Sequence, residues 1–593
     1  MGFPPGVRFL ASLSLRFLIG PFIAYCILTI CDNYLDSPLS SMGRGFLLVF
    51  STPILVAILL VYKDTRNFLA ARAMGATLPP YVGDWTPGSI LFLKQQAKTS
   101  KNGYITDNFA ISNRNTFIIR ILFQNRIVTR EPEQMKTLLA TDFDRYEKGE
   151  EVRDILQPFI GEGVFAADGD LWKFHRTMTR PFFTRDRISD FDNFDRHATQ
   201  AMERLKERFR QGYPVNLQDM AARFTLDSAT EFLFGYDVHS LSSTIPYPYY
   251  ESQQLSASST DSSQRFANAL AGAQIAILQR ARFADIWPIF EMKKDNLLPH
   301  LKEVHSLIDP IVRQAIQDKR QRVANHGGSK VEEETLLQHL VNSTEDPTML
   351  RDEIMSLLLA GRDTTASLIS FVVYMLAEHP PIMHRLRTEI LSRVGSSQRP
   401  SYEDIRDMKF LRAVLNETLR LYPPVPYNLR MSKVGSLWPG ADPEANPFYV
   451  PAKTRILVSV ISMHRRKDLW GPDADEFDPD RFLDERLHKY LTPRPFIFLP
   501  FNAGPRICLG QQAKLYIFAY NEASFFLVRL LQNFSGISLA LDAQPPETCA
   551  PALWAGSAGR KGKEKLRPRA HLTMYLEGGL WVNMKEANPD DEV

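Results

Sequence analysis

Residues 501–510 read Phe-Asn-Ala-Gly-Pro-Arg-Ile-Cys-Leu-Gly, and no other stretch restricts the fold of this chain so tightly. Its one cysteine, Cys508, sits in a loop punctuated by Gly504, Pro505 and Gly510, directly ahead of an apolar run with helical spacing. Glycine tolerates left-handed backbone and close approach, so such a loop can bring a sulfur against a flat ligand. A helix N-terminus and nearby positive charge hold a cysteine as the thiolate, and Arg506 supplies that charge. The fixed positions Phe-x-x-Gly-x-Arg-x-Cys-x-Gly, at about 5% usage each, coincide by chance in only about one in several thousand chains of this length. An ordinary buried cysteine beside a turn needs no such pattern.

Three further motifs precede it. Asp346-Pro347 starts a helix, cap first and proline at the first helical position, and the helical pattern runs to His379 before Pro380-Pro381. Thirty-odd residues at 1.5 Å each give roughly 50 Å, enough to cross a domain. Inside lies Ala360-Gly361-Arg362-Asp363-Thr364-Thr365, where small residues let a ligand press against the helix. Thr364 can bond back to an earlier carbonyl or point into a cavity. Glu417 and Arg420, three apart, share one helix face. Trp172 and Arg176 stand one helical turn apart in Leu-Trp-Lys-Phe-His-Arg.

In this order the motifs resemble the cytochrome P-450 family over roughly residues 80–586, and Ala-Gly-Arg-Asp-Thr-Thr-Ala looks most like its membrane-bound fungal alkane and fatty-acid hydroxylase branch. The resemblance implies a mainly α fold with small β-sheets behind an N-terminal membrane anchor. It implies haem b with the Cys508 thiolate as the only protein ligand to iron, in a loop shaped by Phe501 and Gly504. Arg506, Trp172, Arg176 and Arg430 fall where the family holds the haem propionates. Asp363 and Thr364 match the acid–threonine pair that guides protons when dioxygen, the co-substrate, is activated. Glu417, Arg420 and Arg481 match a structural network in which the family's Pro-x-Arg-Phe segment more usually has Glu where this chain has Asp480. His464, in Ser-Met-His-Arg-Arg, reads as a polar partner for the haem edge or the backbone, not an iron ligand.

A haem-thiolate monooxygenase follows, with long-chain alkanes or fatty acids as the leading substrates and a xenobiotic or aromatic hydrocarbon oxidase left open. A haem-thiolate isomerase or dehydratase and a non-enzymatic haem sensor are the rivals, and Asp363-Thr364 argues against both. No Gly-rich flavin or nicotinamide fingerprint is present, so NADPH-cytochrome P-450 reductase is the implied partner, with cytochrome b5 as a further donor. Lys173, Arg180, Arg494 and Lys514 flank the motifs and suit an acidic partner.

The charge total, 70 basic against 67 acidic residues in 593, calls for no nucleic acid. Four cysteines at 26, 31, 508 and 549 make no disulfide framework. Two apolar segments, Phe17–Cys31 and Phe46–Tyr62, lie near the length of a bilayer span. Arg8 and Arg16 precede the first, Asp32, Asp36 and Arg44 lie between, and Lys63, Arg66 and Arg72 follow the second. That distribution favours a two-span hairpin with both ends cytosolic, in the endoplasmic reticulum; a cleaved first segment leaving one span is the alternative. Expected boundaries are an anchor at 1–78, ended by the stiff Leu78-Pro79-Pro80, a catalytic domain at 79–586 and a polar tail at 587–593. Insertions are expected near 241–263 and 542–570, the second a solvated basic loop. A short hairpin is expected across 117–129 with its turn at Gln124-Asn125.

Overall fold

The computed structural model describes residues 3–34, 40–84, 86–107, 109–182, 191–251, 261–326, 335–440, 444–509 and 518–588. Gly510, Lys514, Asp36 and most of 251–260 and 327–334 lie outside them. The helix expected straight after Cys508 is therefore described only from Phe518.

Ten helices carry the argument. Near the N-terminus stand α1 (Pro5–Phe17), α2 (Ile19–Tyr34) and α3 (Ser41–Ala73). Next come α4 (Gly149–Ile160), α5 (Gly169–Thr179), α6 (Leu217–Phe234) and α7 (Ser262–Phe283). The last three are α8 (Pro347–Glu378), α9 (Lys409–Leu421) and α10 (Phe518–Asn533).

The long helix forms as its sequence dictates. Asp346 caps α8, its carboxylate accepting from Thr348 N at 2.8 Å and Met349 N at 3.4 Å, with Pro347 at the first helical position. By composition α8 is apolar enough to cross a membrane, but 78% of its apolar window is buried inside the protein, so it is a core helix. Phe371, Val372, Val373, Tyr374 and Met375 are buried on every side, as expected of a helix surrounded by others. It packs on α6, whose Asn216 cap and left-handed Gly235 stop delimit it, and on α10, where Ala523 and Phe525–Val528 are fully buried.

A six-stranded sheet flanks this core. It runs in the order 81–82, 116–121, 124–129, 455–459, 427–432 and 146–147, and places Arg430 opposite Ile456. The expected hairpin is present, but its turn is Leu122-Phe123, with φ of 45° and 72°, and not Gln124-Asn125. Gln124 and Asn125 belong to the second strand because Asn125 pairs with Arg120 across it and also donates to Asp64 of α3 at 3.3 Å.

At the N-terminus α1–α2 and α3 are both long and apolar enough to cross a membrane, and little of them is buried. They extend beyond the segments read from hydropathy. Arg44 and Asp32 pair at 2.8 Å between them. At the other end Asp64 of α3 pairs with Arg120 at 2.6 Å. A Cβ on Gly6 of α1 would lie 2.5 Å from Met292 Sδ, so α1 rests closely on the 284–292 segment that follows α7.

The basic segment near the C-terminus overturns an expectation. Residues 560–569 are not a solvated charge run. Arg560 and Glu564 are buried at 4% and 6% exposure. The Glu564 carboxylate accepts from Tyr104 at 2.7 Å, Tyr422 at 2.8 Å and Tyr374 of α8 at 3.1 Å. Arg560 Nε donates to Tyr422 Oη at 2.7 Å, and Lys561 reaches Asp107 at 2.9 Å. Charge alone suggested solvent, and specific partners distant in sequence draw the segment in. Glu564→Ala is expected to destabilise the protein by about 3–5 kcal/mol, because three tyrosine hydroxyls and a guanidinium lose their anion together. Lys563→Ala, whose ammonium pairs with the exposed Glu476, should stay within about 1 kcal/mol. Thermal melting separates the two, and equal melting points would return the segment to a surface loop.

Candidate functional site

The cysteine loop is a set of tight turns. Asn502 N donates to Leu499 O at 3.2 Å, Ile507 N to Gly504 O at 3.0 Å, and Cys508 N back to Phe501 O at 3.0 Å. Gly504 adopts φ of 68°, and a Cβ there would overlap the Leu139 carbonyl. Both the left-handed backbone and the close approach demand glycine. Phe501 lies 5.5 Å from the ring of Tyr520, which seats the loop on α10. Cys508 is exposed at the loop's end.

Behind the loop lies a buried ion network. Glu417 and Arg420 pair through two bonds of 2.7 Å, both side chains fully buried. Arg420 also donates to the carbonyls of His464 at 2.9 Å, Ala474 at 2.6 Å and Glu476 at 3.0 Å. Arg481 lies 3.5 Å from Glu417 and closer, 2.8 Å, to Asp473. The network thus holds two carboxylates, and Asp480 faces outward to Arg385 at 2.8 Å. His464 is tied in at its carbonyl, and its ring Nε2 accepts from Leu499 N at 2.9 Å. Burial, then the Arg420 charge, push His464 down to about 3. Neutral and bonded to backbone, it serves as the loop's anchor and offers no ligand nitrogen at that atom.

Cations crowd one edge of the site. Arg430, on the 427–432 strand, is 3% exposed; burial and the nearby Arg506 push it down to about 9. Lys148, just ahead of α4, is pushed down by burial and by both Arg430 and Arg506. Against these three cations stands Asp168, which pairs with Arg506 at 2.6 Å. Trp172 of α5 is flanked by two guanidinium groups, Arg506 at 4.7 Å and Arg176 at 5.8 Å from its ring centre. Arg176 NH2 donates to Ile507 O at 2.7 Å, next to the cysteine, and the Cys508 charge opposes the burial that lowers it.

Helix α8 presents a narrow accessible stripe. Leu359, Ala360, Gly361 and Thr364 are partly exposed, whereas Arg362, Asp363 and residues 365–376 are buried. Among the described residues a Cβ on Gly361 would meet only Ala229, at 4.0 Å. Thr364 Oγ1 donates to Ala360 O at 2.7 Å. Burial pushes the Asp363 carboxyl up, against the pull of Arg362 and Gln274. Behind α8, the fully buried Glu522 of α10 faces the hydroxyls of Thr365 and Ser228, and burial pushes it up to about 8. None of these three groups has a hydrogen bond of full geometry.

Trp172, Arg176, Arg430, Arg506 and the Glu417–Arg420–Arg481 network therefore gather at the cysteine loop from elements far apart in sequence, while Asp363 and Thr364 stand on α8. The motifs miss Lys148, Asp168, Gln274 and Glu522. A lone buried charge carries no local pattern, and only the crowding of Lys148 with two arginines marks it.

Comparison with known proteins agrees. The cytochrome P450 family model matches residues 82–559. Cytochrome P450 monooxygenase himC of Aspergillus japonicus is 35% identical over 75% of this chain and 75% of its own. Cytochrome P450 52A13 of Debaryomyces hansenii is 32% identical over 93% of this chain and all of its own, and cytochrome P450 52A9 of Candida maltosa is 32% identical with the same coverage.

Glu522 supplies a pH test. Burial raises its folded-state pKa to about 8, above the ordinary value for a glutamate. Its contribution to stability is fully present below the unfolded value and is lost as pH rises through the folded one. Glu522→Gln should remove that dependence, so wild-type and variant melting curves should diverge between pH 5 and about 8 and run parallel above it. Parallel curves throughout would mean that the carboxyl is already ionised in the fold.

Proposed function

The chain belongs to the cytochrome P450 family and is a haem-thiolate monooxygenase, and from that premise we propose that it hydroxylates long-chain alkanes or fatty acids at the cytosolic face of the endoplasmic reticulum. Redox-partner dependence and lipophilic substrates belong to the family. NADPH-cytochrome P450 reductase, with cytochrome b5 as a further donor, is our reading of the partners. We place the catalytic domain at 79–586, since its last strand, 581–586, pairs with 534–539.

The donor set supports haem in this site. Cys508 is exposed on a loop that only glycine-bearing turns allow. Lys148, Arg430 and Arg506 carry more positive charge than Asp168 and the nearby Glu147 balance, and haem propionates would supply negative charge there. Burial of Arg430 without an anion is costly, which makes this excess the observation that carries the reading. Haem bound there supplies one-electron and dioxygen chemistry, with thiolate ligation favouring O–O cleavage.

The rest of the mechanism lies in this chain's side chains. Arg176, bonded to Ile507 O, keeps positive charge beside the sulfur and favours the thiolate. Trp172 with its two arginines would hold haem propionates if the group were bound there. The apolar Leu359–Gly361 stripe excludes water and accepts a hydrocarbon chain. Thr364 offers a hydroxyl that both donates and accepts, so it can hold a proton at the open stripe, and Asp363, turned toward α7, is the acid one residue away on the same helix. Like the side chains, the anchor suits the substrate. Since α1 rests on the 284–292 segment and α3 is tied to Arg120, both ends of the hairpin meet the catalytic domain, which supports a two-span, cytosol-facing arrangement.

Full-length protein with reductase, NADPH and isotopically labelled dioxygen tests the substrate. Alkanes and fatty acids are expected to give alcohols carrying one labelled oxygen, and polycyclic aromatics little or none. Turnover confined to aromatics would overturn the substrate reading while leaving the monooxygenase intact.

A further inference from the structure

The Asp363 carboxylate does not face its neighbour Thr364. One of its oxygens accepts from Arg362 NH1 at 2.9 Å and the other from Gln274 Nε2 of α7 at 2.6 Å. The Thr364 hydroxyl meanwhile donates within α8, to Ala360 O. Gln274, Arg362 and Asp363 are 2%, 8% and 8% exposed. Both oxygens of the acid are thus engaged, one by its own helix and one by another.

Gln274 is out of keeping with its surroundings. Between the buried Ser263 and Arg280 at its two ends, the buried face of α7 reads Phe266, Ala269, Leu270, Ala273, Ala276 and Ile277, with the glutamine in its middle. A buried primary amide costs free energy unless it is hydrogen-bonded, and leucine at 274 would extend the face without that requirement. Packing of α7 does not ask for the residue; its bond to Asp363 does. A charge-assisted bond to a buried carboxylate is about twice as strong as a neutral one, so the amide can fix a rotamer.

We propose that Gln274 is a positioning residue for the proton-handling acid, its amide holding the Asp363 carboxylate turned toward α7 so that the acid's placement follows that helix. Asp363 is then carried by two helices, α8 supplying the side chain and α7 deciding where its oxygens sit. The proposal rests on the reading of Asp363 and Thr364 as the proton-handling pair.

The test compares Gln274→Leu, which keeps the volume but loses the donor, with Gln274→Glu, which donates only when protonated. In the full-length holoenzyme with reductase, Gln274→Leu should lower product per NADPH severalfold and raise peroxide, with the spectral dissociation constant for substrate unchanged within twofold. Gln274→Glu should regain product yield as pH falls, and Gln274→Leu should not. A readout free of turnover accompanies these. The infrared carboxyl band assigned to Asp363 by its loss in Asp363→Asn should shift in Gln274→Leu, with haem or without, which keeps the test decisive if that variant binds haem poorly. Native product yield with an unmoved band would overturn the proposal. So would a changed substrate affinity at native yield, which would make Gln274 a cavity-lining residue. If Asp363→Asn itself leaves the yield unchanged, the acid role falls and this proposal with it; if only Gln274→Leu is silent, the acid role stands and the positioning role is wrong.

Discussion

The buried guanidinium of Arg420 orders the site more than any other group. It takes both oxygens of Glu417 and three backbone carbonyls from residues 464, 474 and 476. A charge with no exposure tolerates no missing partner, since breaking such a pair costs about 3–5 kcal/mol. The chain around residues 464–476 is therefore set by the demands of one side chain. His464, fixed at its carbonyl by that demand, turns a neutral imidazole to Leu499 N. Leu499 in turn accepts from Asn502, at the start of the turns that end on Cys508. A structural ion pair thus determines where the sulfur sits, two hydrogen bonds removed from the loop.

Helix α8 obeys a different constraint. An apolar helix buried on nearly every side would be featureless, yet between Glu353 and Leu376 α8 breaks its burial at Leu359, Ala360, Gly361 and Thr364 alone. Small residues create that opening, and the polar groups beside it are held by neighbours: Asp363 by Arg362 and Gln274, and Glu522 behind Thr365 by burial. The floor is rigid because it is charged and saturated with bonds. The helix wall is permissive because it is small and apolar.

What the sequence disclosed follows from how local each signal is. Cys508, Gly504 and Arg506 lie within a few residues of one another, and Asp346-Pro347 states its cap and its first turn together, so both were legible. Glu417 and Arg420 were legible as a pair, but the second carboxylate, Asp473, was not, because its partner Arg481 meets it only after the chain folds back. Lys148 and Asp168 give no pattern on their own. The run at 560–569 misled because charge density was read without partners; Tyr104, Tyr374 and Tyr422 that enclose Glu564 come from three separate elements. The turn at Leu122-Phe123 was missed for the converse reason: neither residue favours left-handed backbone, and strand pairing with Asp64 behind Asn125 sets the register.

The central claim, that His464 carries the ion network's order to the thiolate loop, is tested most directly by the carbon monoxide difference spectrum of reduced His464→Leu, with Cys508→Ala as the reference for lost thiolate ligation. Leu499 N loses its acceptor, a deficit of about 1–3 kcal/mol. The account predicts a variant that retains haem but passes from the thiolate signature toward that of Cys508→Ala on mild warming, well before the wild type does. A His464→Leu protein that keeps the full thiolate signature to the wild-type melting temperature would contradict it.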